Sequence, residues 1–113
     1  MIDQISPSQL QDWIAANAEH GPAMVLDVRE PWEVQTACVQ AQDFELVSYP
    51  MHTVPARLQD LPRNRPIACL CHHGGRSMQV AAFLAQQGFS HVANIAGGIH
   101  AWSVQVDPRV PTY

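Results

Sequence analysis

The sequence holds 113 residues, 47% of them hydrophobic and 14% charged, with a net charge of −4. That length suits one domain, and the apolar fraction is enough to build a core and excludes a disordered chain. The six basic residues are all arginine and lie scattered, so nucleic acid is not an expected partner. The longest apolar runs, such as Val80-Ala81-Ala82-Phe83-Leu84-Ala85, fall far short of the roughly 20 residues of a membrane helix, so no membrane partner is expected. Met1-Ile2-Asp3-Gln4-Ile5 shows no basic region followed by an apolar stretch, and the expected location is cytoplasmic, where Cys38, Cys69 and Cys71 stay reduced.

In chain order, Ser6-Pro7 ahead of Leu10, Trp13, Ile14 and Ala16 predicts a helix with an N-cap and a proline in its first turn, ending near Gly21-Pro22. Ala23 to Val28 is a continuous apolar run of the kind found in strands covered on both faces. Glu30 to Thr36 predicts a short helix, Phe44 to Val47 a brief strand, and Thr53 to Leu61 a helix closed by Pro62. Pro66 to Cys71 is a second buried strand with the cysteine as its last residue. Met78, Val80, Ala81, Leu84 and Ala85 follow helical spacing up to Gly88, Val92 to Ile95 reads as a strand, and Ile99 to Val104 as a final helix.

Alternating strands and helices predict an α/β domain with a mainly parallel sheet and helices on both faces. Ligands of such sheets bind beyond the carboxyl ends of the strands. Asp27, Cys71 and Gly97-Gly98 all fall at or just after predicted strand ends, so they can share one edge.

Cys71-His72-His73-Gly74-Gly75-Arg76-Ser77 runs from a strand end into a helix N-terminus, where unpaired N–H groups favour an anion. Gly74 and Gly75 tolerate positive φ, which lets successive N–H groups turn inward. Helix termini and nearby cations favour the thiolate form of a cysteine, and Arg76 supplies a fixed cation suited to an oxyanion or to carbonyls and carboxylates of the loop. An isolated cysteine is more often an inert core residue, and that is the expected role of Cys38 and Cys69. For Cys71 the surrounding glycines and arginine have no equal packing explanation.

The loop Cys71-x-x-Gly74-x-Arg76-Ser77 resembles the active-site loop of rhodanese-like domains. Asp27-Val28-Arg29 is similar to the segment after that family's second strand, and Gly97-Gly98-Ile99-His100-Ala101-Trp102 to its closing Gly-Gly-x-x-x-Trp signature. The resemblance implies a three-layer rhodanese domain over residues 1–113, with a central five-stranded parallel sheet flanked by helices on both faces. It further implies a sulfurtransferase that moves a sulfane sulfur from thiosulfate or a persulfide donor to cyanide or a thiol acceptor. Cys71 would be the catalytic nucleophile and carry a covalent persulfide. His72, His73, Gly74, Gly75, Arg76 and Ser77 would bind substrate, and no separate cofactor or metal would be required. A low-turnover sulfur carrier or sensor serving a thiol-carrying protein is the alternative. Phosphatases and arsenate reductases of the same fold rank lower, because their Cys-x5-Arg pattern would need arginine at position 77, where this chain has Ser77.

Where that family carries Gly-His-Ile, this chain has Ala37-Cys38-Val39 followed by the extra stretch Gln40 to Phe44, which leaves the geometry of that edge open. Asp27 and Arg29 are expected to brace the site, Arg29 with Glu33, the alternative being a weak surface pair. Gly97 and Gly98 are expected to support the same edge. His72 and His73 could steer an anionic donor when protonated or be ordinary loop histidines. Cys69-Leu70-Cys71-His72-His73 lacks the second cluster needed to complete a metal site.

Overall fold

Apolar runs bounded by turn residues become the three inner strands of a parallel sheet in the computed structural model, which describes residues 2–113. The strands are β1 (Ile2–Ile5), β2 (Met24–Asp27), β3 (Glu45–Ser48), β4 (Ile67–Leu70) and β5 (Val92–Ile95), in the spatial order β1-β5-β4-β2-β3 with every pairing parallel. Every residue of β2, β4 and β5 is buried, whereas the edge strands β1 and β3 are partly exposed. The helices are α1 (Leu10–Ala16), α2 (Pro31–Thr36), α3 (Gly75–Gln86) and α4 (Gly98–Gln105).

Side chains alternate across a strand, so the inner strands feed two cores. Val25, Ala68, Leu70, Ala93 and Ile95 pack one face with Leu10 and Trp13 of α1 and Ile99 and Trp102 of α4. Met24, Leu26, Ile67, Cys69 and Val92 pack the other with Val80, Ala81 and Leu84 of α3. No helix among the described residues is long and apolar enough to cross a membrane.

Four segments differ from the sequence expectation. Ile2–Ile5 is a strand although its own pattern is weak, because it pairs along β5 from Ile2↔Val92 to Ile5↔Ile95 and the Trp13 indole donates to Asp3 at 2.9 Å. The first helix is broken into a 3-10 turn at Pro7–Gln9, α1, and a second turn at Ala18–His20, since the Asn17 amide side chain donates to the Trp13 carbonyl (2.9 Å) and ends α1. In place of the helix expected over residues 53–61, Met51–Thr53 and Pro55–Asp60 form 3-10 turns, Pro55 supplying no N–H and Arg57 leaving helical dihedrals at φ −109°, ψ 15°. β4 stops at Leu70, which puts Cys71 in the loop that follows.

Leu26 is fully buried on β2 between neighbours β3 and β4. Leu26→Ala is expected to cost about 2–5 kcal/mol in urea unfolding, through lost burial and a cavity the inner sheet cannot close.

Candidate active site

The carboxyl ends of β2, β4 and β5 bring Asp27, the Cys71 loop and Gly97-Gly98 to one edge of the sheet. Gly74 has φ +107°, and a Cβ there would stand 3.1 Å from the Gly97 nitrogen. Gly98 has φ +62°, and a Cβ there would lie 2.4 Å from the carbonyl oxygens of both Cys71 and His72. With no side chain in the way, the first turn of α4 meets the loop directly: Ile99 N–H donates to Cys71 C=O at 2.8 Å and His100 N–H to His72 C=O at 3.2 Å. Gly75 differs from the expectation of positive φ. It opens α3 without a left-handed conformation, and nothing lies within 4 Å of a Cβ built on it.

The Cys71 sulfur is 1% exposed as part of its residue and sits over the N-terminus of α3. Gly74 N–H and Ser77 N–H donate to it at 3.1 and 3.3 Å, and it lies 3.2 Å from the Ser77 hydroxyl. The N–H groups of Gly75 and Arg76 belong to the first turn of α3, which has no intrahelical acceptors for them. The arrangement is a concave patch of donors around one sulfur, able to hold negative charge on Sγ or on an atom bonded to it.

A chain of ion pairs stands behind the loop. Arg29 and Asp27 are both 0% exposed and form a two-pronged pair, with Nε to Oδ1 at 2.8 Å and Nη2 to Oδ2 at 2.6 Å. That burial is incompatible with a weak surface pair. Arg29 reaches Glu33 only through the backbone carbonyl (3.2 Å), which corrects the expected side-chain pairing. The Glu33 carboxylate is taken instead by Arg76, at 2.6 and 2.8 Å, so the Arg76 fork faces α2 rather than the loop. The Tyr113 hydroxyl joins the two pairs, donating to Glu33 at 2.7 Å and accepting from Arg29 at 3.1 Å. The bonds from Arg76 and then Tyr113 outweigh burial and hold the Glu33 carboxyl down at about 2.

The Tyr113 ring lies flat on His72, centroids 3.9 Å apart and planes 5° from parallel, and His73 stacks on His72 with its centroid also 3.9 Å away. Burial first, and the adjacent His73 second, push the His72 pKa below its ordinary value. That shift disfavours the protonated ring that would steer an anionic donor, and the stack with Tyr113 and His73 packs the imidazole against the tail. His73 is exposed, 5.3 Å from the His100 ring.

Comparison with known proteins accords with this geometry. The Rhodanese-like domain family matches residues 6–105. The chain belongs to the rhodanese-like sulfurtransferase family. It is 31% identical over 103 residues to a sulfurtransferase of Allochromatium vinosum, covering 91% of this chain and 90% of that protein. It is 30% identical over 99 residues to the thiosulfate sulfurtransferase GlpE of Pseudomonas syringae, covering 88% and 85%. Among solved structures, a rhodanese-like domain protein from Staphylococcus aureus superposes with TM-score 0.75 at 25% identity over 99% of both chains.

The other cysteines of this rhodanese domain are placed differently from Cys71. Cys69 is fully buried beside Leu26 and Asn94 of the flanking strands, and burial, then the nearby Cys71 charge, push its thiol up to about 12. Its full burial fits the core role expected of it. Cys38 is exposed, which corrects its expected burial: residues 37–39 run extended, turning Ala37 and Val39 into the core and Cys38 outward. Among the described residues no three His, Cys, Asp or Glu side chains come together to hold a metal.

Two residues of the rhodanese site went unread in the sequence. Asn94, 3% exposed, bonds to Ser77, Gly74 and Gln4. Its signal was available, a polar residue inside the buried strand Val92-Ala93-Asn94-Ile95. Tyr113 carried none, because its place depends on the tail being anchored by buried Val110, whose carbonyl accepts from Ser103 Oγ at 2.6 Å.

Gly98→Ala is expected to cost about 3 kcal/mol or more and to disorder the loop, while Gly75→Ala stays within about 1 kcal/mol of the parent, both read by thermal unfolding. Glu33 titrates lower in the folded chain (about 2) than its ordinary 4.5, so its stabilisation is complete above 4.5 and disappears as pH falls toward 2. Glu33→Gln should therefore be less stable than the parent by about 3 kcal/mol at neutral pH, the gap closing across that acid window in pH-dependent urea unfolding.

Proposed function

We propose that the chain transfers sulfane sulfur through a persulfide on Cys71. The observation that carries this reading is the Cys71 sulfur held between the N–H groups of Gly74 and Ser77 at the N-terminus of α3, where exposed Gly75 presents no side chain. In the cycle, the Cys71 thiolate attacks the outer sulfur of thiosulfate. A new S–S bond forms, the donor's S–S bond breaks, and sulfite leaves with the electron pair. The charge of Cys71-S-S⁻ resides largely on its outer sulfur, within reach of the first-turn N–H groups of α3. A thiolate or cyanide then attacks that outer sulfur, and Cys71 departs as thiolate, ready for another donor.

No redox cofactor or metal enters this cycle, since each step is an attack at sulfur that conserves electrons. The name of the Pseudomonas syringae relative supports thiosulfate as one donor, and an alkyl persulfide offers the same outer sulfur. His72, His73, Gly75 and Arg76 contribute backbone to the cradle. The Arg76 side chain, committed to Glu33, anchors α3 rather than binding the donor. That commitment also speaks against phosphate or arsenate chemistry, which needs a guanidinium closing on a tetrahedral anion.

Incubation with thiosulfate followed by intact-mass measurement is expected to show a gain of one sulfur, about 32 Da, absent from Cys71→Ser. No adduct with thiosulfate or with an alkyl persulfide would overturn the reading. An adduct that neither cyanide nor a small thiol removes would recast the domain as a carrier for a thiol-bearing protein.

A further inference from the structure

Hydrogen bookkeeping around Asn94 assigns a role to a residue that the cycle above does not use. The Gly74 carbonyl can only accept, so the Asn94 atom facing it at 3.3 Å is the amide nitrogen. The same nitrogen donates to Gln4 Oε1 at 3.1 Å. Asn94 Oδ1 therefore faces Ser77 Oγ, 2.6 Å away, and being an acceptor without hydrogen it takes the single hydroxyl hydrogen of Ser77. Toward Cys71, 3.2 Å away, Ser77 has only a lone pair left to offer.

We infer that Asn94 is a positioning residue of the sulfur site: it holds the Ser77 hydrogen away from Cys71, so the hydroxyl accepts from the thiol and opposes negative charge on the bare sulfur, and it ties down the carbonyl of Gly74, the residue whose own N–H serves that sulfur. The functional meaning rests on the persulfide reading. In the loaded form the charge moves one S–S bond, about 2 Å, outward to a sulfur that the first-turn N–H groups serve. The inner sulfur then carries neither hydrogen nor full charge, and the Ser77 lone pair opposes it less. Asn94 and Ser77 thus tilt the site toward holding sulfur over standing empty as thiolate.

Of the ionisable groups around the loop, Cys69 of β4 and Arg76 of α3, the latter already paired with Glu33 of α2, act electrostatically on Cys71; His72 and His73 lie in the loop itself and His100 in α4, which is bonded to it. None of them is changed in the variants that follow; Asn94→Asp adds one carboxylate, whose direct charge also moves the profile to higher pH, so Ser77→Ala is the deciding variant. The test is the rate of iodoacetamide alkylation of sulfur-free protein against pH, followed on the Cys71 peptide by mass spectrometry so that exposed Cys38 does not interfere.

Ser77→Ala removes the lone pair, and its profile is expected to move to lower pH, with alkylation at neutral pH several-fold faster. Asn94→Asp grips the Ser77 hydrogen with a full charge and repels the Gly74 carbonyl. Its profile should move to higher pH, with alkylation at neutral pH at least tenfold slower. Shifts in the same direction, or none, would show a merely loosened loop and overturn the assignment. Should Asn94→Asp fail to fold in a thermal melt, Ser77→Ala decides alone, and a shift to higher pH or no shift overturns it. Persulfide formation is scored separately by mass on the parent, so failure of the sulfur-transfer reading and failure of this assignment give different results.

Discussion

The carbonyls of Cys71 and His72 are bonded into the first turn of α4, and the site depends on that junction. All the described peptides are trans, so the C=O and the following N–H of one peptide point in opposite directions. Fixing those two carbonyls toward α4 aims the N–H groups of His72 and His73 the other way. The junction exists because Gly98 has no Cβ, since any side chain would collide with both oxygens. A glycine in one helix thereby sets the polarity of a loop more than twenty residues earlier in the chain.

Behind the junction, both arginines at this edge are spent on carboxylates, Arg29 on Asp27 and Arg76 on Glu33. Removing one member of a buried pair leaves an uncompensated charge, which makes such pairs effective at fixing one arrangement even where they add little net stability. Here the arrangement they fix is the relative position of β2, α2 and α3, with Tyr113 as the common hydroxyl. The cradle itself then relies on backbone dipoles, which cannot be titrated away.

Much of this was legible in the residues. Continuous apolar runs marked β2, β4 and β5, and the glycines around Cys71 marked the loop, because burial on both faces and tight turns leave direct compositional traces. What stayed hidden depends on partners distant in the chain. β1 exists through pairing with β5, Arg76 and Arg29 divide Glu33 between side chain and backbone, and Tyr113 reaches the site only through a tail pinned at Val110. A list of charged residues shows which pairs are available, but not which carboxylate each guanidinium can reach. Gly75 shows the reverse error: a glycine read as a turn residue proves to be a helix opener whose value is empty space.

The bonds that complete the site join residues far apart in sequence, 84 positions for Arg29 with Tyr113 and 90 for Asn94 with Gln4. During synthesis Cys71 is made before Asn94, Gly98 and Tyr113, and a parallel sheet with such distant pairings is slow to close. Until it closes, that thiol is an ordinary cysteine open to any oxidant or disulfide partner. Cys71 is thus shielded only once these distant partners are in place, and the folding rate becomes a component of its chemical lifetime.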